Sequence, residues 1–260
     1  MMLQTRALTV SIGPHRVCTA LDLDLAPGER LAILGRNGAG KSTLLSTLAA
    51  LRPADAGEIR LDGKSYAAHG LRAAARLRGW LGQDRGDAFA STVLETVLTG
   101  RHPHLGRWSW ESAADNAIAG AALATMGLAG MEQREIRTLS GGERQRAAIA
   151  TLLAQQPRLY LLDEPLAYLD LNHQIATLEL LAERARSAKF GPPVAIVMVL
   201  HDPNFALRYC DRALLLFGDG RHCEGQVADV ITAASLSQLY GHPMRRVADP
   251  ALSHPLFVPA

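Results

Sequence analysis

G-R-N-G-A-G-K-S-T at residues 35–43 follows the apolar run Leu31-Ala32-Ile33-Leu34 and leads into Leu44-Leu45. The order is strand, glycine-rich loop, helix, the context in which this spacing binds phosphate. The glycines let the backbone curl until successive N–H groups point inward at phosphate oxygens. The N-terminus of the following helix adds partial positive charge. Gly35, Arg36, Asn37, Gly38, Ala39, Gly40, Lys41, Ser42 and Thr43 are therefore the expected phosphate-binding set. Lys41 supplies a point charge for the β- and γ-phosphates, and Ser42 a hydroxyl for Mg²⁺.

The remaining composition narrows the class. The chain has 260 residues, 48% apolar and 20% charged, enough for one large domain or a domain with a subdomain. A net charge of +2 gives no field that would gather nucleic acid, and none is expected as a partner. Three scattered cysteines, Cys18, Cys210 and Cys223, fit neither a disulfide framework nor a metal cluster and suit a reducing compartment. The opening residues lack a signal-peptide core. The most apolar segment, Val194–Leu200, has seven residues against the roughly 20 that span a bilayer. The chain is expected not to cross a membrane, although it could lie against one.

Around the glycine loop the pattern is α/β. Leu8–Ser11 and Leu21–Leu25, the latter alternating leucine with aspartate, read as strands. Residues 43–51 read as a helix, residues 59–61 as part of a hairpin, Arg72–Arg78 as a basic helix, and residues 79–83 as a strand ending in Gln83. From Thr92 the period becomes helical, with Thr92 and Glu95 as a capping box, and Glu111–Met126 continues it. Residues 84–150 are thus expected as a helical region set between α/β segments 1–83 and 151–260. After Pro157, Leu159–Leu162 and Val194–Leu200 are unbroken apolar strands of the kind buried on both faces of a parallel sheet. His173–Lys189 reads as a helix, Asp202-Pro203 opens another, and Ala213–Phe217 is a further strand. Residues 235–260 carry little pattern.

Polar residues at the ends of these strands carry the chemistry. Asp163, at the carboxyl end of a buried parallel strand, is placed to hold Mg²⁺. Its neighbour Glu164 faces the other way and is suited to act as general base. His201 ends the next strand and could meet a phosphate oxygen, or orient Glu164 and water. Gln83 ends a third and could touch the metal or the water. Ser140 and Glu143 form a capping box ahead of Arg144–Gln155, with Gly141 and Gly142 in the first turn. Two glycines there cost a helix roughly 1 kcal/mol each against alanine, which makes sense if an anion must approach exposed N–H groups.

These motifs resemble the ATP-binding subunits of ABC transporters. Residues 35–43 are similar to Walker A, L-S-G-G-E at 139–143 to the signature motif, and L-Y-L-L-D-E-P at 159–165 to Walker B with its catalytic glutamate. Leu169-Asp170 matches the D-loop, His201 the switch histidine and Gln83 the Q-loop, and the likeness runs from Leu3 to about Pro243. It implies a P-loop NTPase core of ABC type, with an N-terminal antiparallel β region and an inserted helical subdomain. It also implies a head-to-tail homodimer. Ser140, Gly141 and Gly142 of one copy would close on the γ-phosphate held at Lys41 of the other, and Asp170 would couple the two sites. Two positions depart from the family pattern. Ile12, His15 or Arg16 takes the place of the usual adenine-stacking aromatic, and Tyr168 stands where a small residue is common.

The implied reaction is ATP + H₂O → ADP + phosphate, driving an integral membrane permease dimer from its cytoplasmic side. V-L-T-G-R-H-P-H at 97–104, H-D-P-N-F-A-L at 201–207 and S-Q-L-Y-G at 237–241 resemble importer subunits for iron–siderophore, haem and cobalamin uptake. That likeness implies a periplasmic or lipid-anchored substrate-binding protein, and a permease helix meeting segment 84–104. Cobalamin or an iron chelate is favoured over haem. The rival readings are a soluble ABC ATPase outside transport, an ABC subunit for another substrate, a P-loop GTPase and an inert interaction module.

Overall fold

The computed structural model describes residues 1–83, 90–106, 108–186, 191–250 and 254–260. Residues 84–89 of the expected helical region and permease-facing segment, and 187–189 of the expected helix, lie outside them.

The chain opens with the antiparallel hairpin β1 (Leu3–Ile12) and β2 (His15–Leu25). Leu21, Leu23 and Leu25 are buried while Asp22 and Asp24 turn outward, so the leucine–aspartate alternation is that of a strand with one wet face. Next, β3 (Arg30–Gly35) leads through the glycine loop into α1 (Lys41–Leu48). The short strands β4 (Ala56–Leu61) and β5 (Lys64–Ser65) complete a four-stranded antiparallel sheet in the order β2-β1-β4-β5. Then α2 (Tyr66–His69) and α3 (Leu71–Leu77) carry the chain to β6 (Arg78–Leu81), which ends two residues before Gln83.

The helical region contains α4 (Val93–Leu98), a 3₁₀ turn at Thr99–His104, α5 (Ala113–Thr125) and α6 (Gly141–Gln155). Its three helices start at capping boxes, Thr92/Glu95, Ser112/Asp115 and Ser140/Glu143. Arg101 is buried within this region. Its guanidinium donates to Asp115 at 2.8 Å and to the Ala154 carbonyl at 2.8 Å, tying the 3₁₀ turn to α5 and to the end of α6. The Ser112 hydroxyl, then Arg101, hold the Asp115 carboxyl well below the usual range. Helix α6 runs across residue 150, the expected edge of the region, because its C-terminal half packs on the sheet.

The rest of the chain is β7 (Leu159–Leu162), α7 (Leu171–Arg186), β8 (Ala195–Val199), α8 (Pro203–Tyr209), β9 (Arg212–Leu216), β10 (His222–Gln226), α9 (Val227–Val230), α10 (Ala233–Tyr240), and the terminal pair β11 (Met244–Val247) and β12 (Leu256–Pro259). The central sheet has the order β10-β9-β3-β8-β7-β6, parallel from β9 to β6. Both faces are buried. Along β3, Leu31 and Ile33 join the core beneath the antiparallel sheet and α1, while Ala32 and Leu34 join the core shared with the helical region. Along β7, Leu159 and Leu161 divide from Tyr160 and Leu162 in the same way. That two-sided burial explains the unbroken apolar runs. The C-terminal stretch, unpatterned in sequence, is pinned by Asn204, whose amide exchanges hydrogen bonds of 3.2 and 2.8 Å with the Phe257 backbone.

Candidate functional site

The carboxyl ends of β3, β8, β7 and β6, neighbours in one parallel sheet, open on the same edge. Each delivers one part of the expected chemistry: the glycine loop, His201, Asp163 with Glu164, and Gln83. A cleft of about 470 Å³ lies there, lined by Asn37, Gly38, Gly40, Lys41, Ser42, Thr43, Gln83, Glu164, His201 and Ile12.

The loop conformation requires its glycines. Gly40 has φ +90°, and a Cβ there would lie 2.4 Å from Val17 Cγ2, so no other residue fits. Immediately after it, Lys41 opens α1 with its side chain buried. Its ammonium donates to the carbonyls of Gly35 (2.9 Å) and Arg36 (3.1 Å), which holds it over the loop. Burial pulls its pKa below that of an ordinary lysine, against the raising effect of Glu164 and Asp163. Ser42 Oγ donates to Asp163 Oδ1 at 3.0 Å, joining the first turn of α1 to the residue that follows β7. Asp163 is buried, and desolvation pushes its carboxyl above the usual range although the Ser42 bond works the other way. A hydroxyl and a carboxylate side by side, both hard oxygen donors, fit a Mg²⁺ ion that completes its shell from phosphate and water.

Glu164 sits in the left-handed region at φ +49°, which costs a non-glycine residue roughly 1 kcal/mol. The consequence is where its carboxylate goes. Gln83 Nε2 donates to Glu164 Oε1 at 2.7 Å, and His201 Nε2 lies 2.9 Å from the same oxygen. A carboxylate only accepts, so the proton of His201 is on Nε2 in this contact. Two side chains from two strands thus fix one oxygen of Glu164 and leave Oε2 as the atom suited to meet water.

Ser140, Gly141 and Gly142 lie apart, outside the residues that line the cleft. Helix α6 begins at Gly141 behind the N-cap Ser140, as the Ser140/Glu143 capping box with both glycines in the first turn requires. Ser140 accepts from the Glu143 amide at 3.2 Å, and its own amide donates to Glu143 Oε2 at 2.7 Å. A Cβ on Gly142 would meet the Tyr168 carbonyl at 3.0 Å, so this glycine also serves a close backbone approach. Tyr168 is 77% exposed, has φ +65°, and lies against Gly141. Asp170 caps α7, accepting from the His173 amide at 2.9 Å and from His173 Nδ1 at 2.8 Å, and these bonds hold its carboxyl below the usual range.

The structure brings Ile12 to the cleft. Arg16 instead packs on the turn at Gly220, where a Cβ would meet its Cγ at 2.8 Å, and it is not among the lining residues. Gln145 was not singled out by the sequence. It is fully buried in α6 and donates to the Pro165 carbonyl at 2.6 Å. The available signal was a glutamine on the stripe it shares with Ile149, Leu152 and Leu153, where an apolar residue is expected.

A sequence profile described as ABC transporter matches residues 18–167. The chain is 41% identical to the hemin import ATP-binding protein HmuV of Deinococcus radiodurans, over 97% of this chain and 95% of that one. It is 36% identical to the ferric enterobactin transport ATP-binding protein FepC of Escherichia coli, over 99% and 93%. A solved metal-chelate type ABC transporter in an inward-facing conformation superposes with a TM-score of 0.86 at 30% identity, covering 100% of this chain and 97% of that one. With the phosphate loop, the Ser42–Asp163 pair and Glu164 at the ends of one parallel sheet, the chain belongs to the ATP-binding subunits of ABC transporters and carries their type of ATPase.

Proposed function

We propose that this chain hydrolyses ATP to drive import of an iron chelate of haem or siderophore type. It works as a head-to-tail homodimer docked on the cytoplasmic face of a membrane permease dimer, with a substrate-binding protein on the other side. No helix among the described residues is long and apolar enough to cross a membrane, so the passage itself belongs to a partner. The hemin and ferric enterobactin designations of its relatives support the substrate class. Cobalamin, placed beside iron chelates in the sequence reading, draws weaker support.

The observation that carries the catalytic part is the convergence of Gln83 and His201 on Glu164 Oε1, beside the Ser42–Asp163 pair. In this reading the 35–43 backbone and Lys41 bind the β- and γ-phosphates. Ser42 and Asp163 would hold Mg²⁺, with Gln83 as a further candidate ligand, and an ion there would neutralise phosphate charge. Glu164 orients a water and takes its proton as the water oxygen bonds the γ-phosphorus and the bond from that phosphorus to the β–γ bridging oxygen breaks, with ADP as the leaving group. His201 holds Glu164 and meets the γ-phosphate, and Ile12 packs beside the base. Ser140, Gly141 and Gly142 lie outside their own chain's cleft, which favours a second copy's phosphate as their ligand. Asp170, at the start of α7, couples the copies.

The test is reconstitution of this chain with its permease and binding protein in vesicles. Loaded with ferric siderophore or haem, the binding protein should stimulate phosphate release several-fold and move iron into the lumen. Stimulation by cobalamin alone would overturn the substrate class. Full activity without any permease, with no stimulation on assembly, would favour an ABC ATPase outside transport.

A further inference from the structure

We infer that Gln145 is a positioning residue that couples the N-terminus of α6 to the catalytic carboxylate of Glu164. The inference rests on the reading of Glu164 as general base. Gln145 is completely buried, and its amide nitrogen donates to the Pro165 carbonyl at 2.6 Å, with the Glu164 carbonyl at the outer limit of 3.5 Å. Its Oε1 is buried with no hydrogen-bond partner among the described residues. Half of a buried amide is therefore left unsatisfied, which destabilises the protein relative to an apolar side chain of the same length. The gain for that loss is one bond, and the bond goes to the peptide that follows Glu164.

The placement gives the bond a consequence. Gln145 lies less than two turns into the helix that begins at Ser140–Gly142. Glu164 holds a left-handed backbone, so a small movement of the 164–165 peptide redirects its side chain. A shift of α6 as its N-terminus takes up phosphate is then passed through the Gln145 amide to the carboxylate that Gln83 and His201 grip. Met at position 145 would keep the volume, remove the orphaned oxygen and cut this link.

The experiment compares Gln145→Met, Gln145→Leu and Glu164→Gln in the permease-assembled complex, reading thermal midpoint, ATP affinity and turnover. Expected for Gln145→Met is a midpoint within a few degrees of wild type, since the orphaned Gln145 oxygen is removed while the Pro165 carbonyl loses its donor, with ATP affinity within about threefold and kcat down about tenfold or more. A loss confined to kcat in a protein of near-unchanged stability is not what a packing role produces. Turnover within twofold of wild type in Gln145→Met, with Glu164→Gln inactive, would overturn the link. Turnover retained in Glu164→Gln would instead overturn the reading of Glu164. Should the methionine variant not fold, Gln145→Leu is judged by the same values.

Discussion

Replacing Glu164 by glutamine separates shape from base strength. The carboxylate Oε1 accepts from Gln83 at 2.7 Å and faces His201 Nε2 at 2.9 Å. An amide oxygen can accept from both, so the side chain stays in place, while the atom meeting water can no longer take a proton. General-base catalysis contributes about 10²–10⁴ in rate. At 1.36 kcal/mol per decade that is about 2.7–5.4 kcal/mol of barrier. Weakening two hydrogen bonds from charged to neutral acceptor removes about 1 kcal/mol each at a half-exposed site, too little to mimic it. Turnover of the assembled complex, measured by phosphate release, should therefore fall at least a hundredfold, with ATP affinity by titration within about threefold. Turnover within tenfold of wild type refutes the role. The geometry adds a finer test. His201→Ala and Gln83→Ala each remove one hold on the same oxygen, and the other still orients it. Each should lower kcat by about fivefold to tenfold, and the double variant by more than the product.

Three further substitutions probe the rest of the site. Lys41→Ala deletes a charge-assisted contact worth about 1.5–3 kcal/mol, so ATP affinity should weaken by about ten- to a hundredfold, and unchanged affinity counts against it. Burial raises the Asp163 pKa, so the stability linked to its protonated form is lost as pH rises through that raised value. Near pH 7 the ionised carboxylate is therefore worse off folded than unfolded. Asp163→Asn, still able to accept from Ser42, should raise the nucleotide-free melting temperature and abolish turnover, and a lower melting temperature contradicts the sign. Ser140→Ala removes the α6 cap, about 1 kcal/mol and about 2–4 °C in melting temperature. It should also lower turnover if that helix end meets a second copy's phosphate, and a stability loss with full turnover would separate the two.

What could be read in advance was local. The 35–43 loop is legible because lysine and serine stand at fixed offsets from the glycines. The strands at 159–162 and 195–199 are legible because burial on both faces leaves no polar position. The starts of α4 and α6 follow from the capping boxes at Thr92 and Ser140, and α5 from its helical composition. What could not be read depends on distant residues meeting. That His201 could orient Glu164 is expected from the sequence, but Gln83 and Glu164 are 81 positions apart, and nothing near either announces that Gln83 donates to the same oxygen. The glycines that open α6 are poor helix formers, and what the sequence did not disclose is that Tyr168 packs against them. Gln145 offered a polar residue on an apolar stripe, but its meaning lay in the Pro165 carbonyl.

The electrostatics of the cleft explain why such a site is unstable by itself and useful with its ligand. Lys41 and Asp163 are both buried, and burial drives each toward its neutral form, the lysine downward and the aspartate upward. Each charge eases the other only in part, and burial outweighs that attraction. The ammonium is satisfied by two carbonyls and the carboxylate by a hydroxyl, partners that hydrogen-bond without cancelling charge. Removing the Asp163 charge should therefore stabilise the nucleotide-free protein, as argued above. A polyphosphate beside Lys41 and a divalent cation beside Asp163 would place the missing opposite charge next to each. The binding energy of nucleotide is then partly relief of strain already present in the folded chain. At a hundred times its dissociation constant that binding adds about 2.7 kcal/mol of stability. Asp163→Asn, already relieved, should gain less from added Mg·ATP than the wild type does, and an equal gain would show that the buried carboxylate is not where the cation acts.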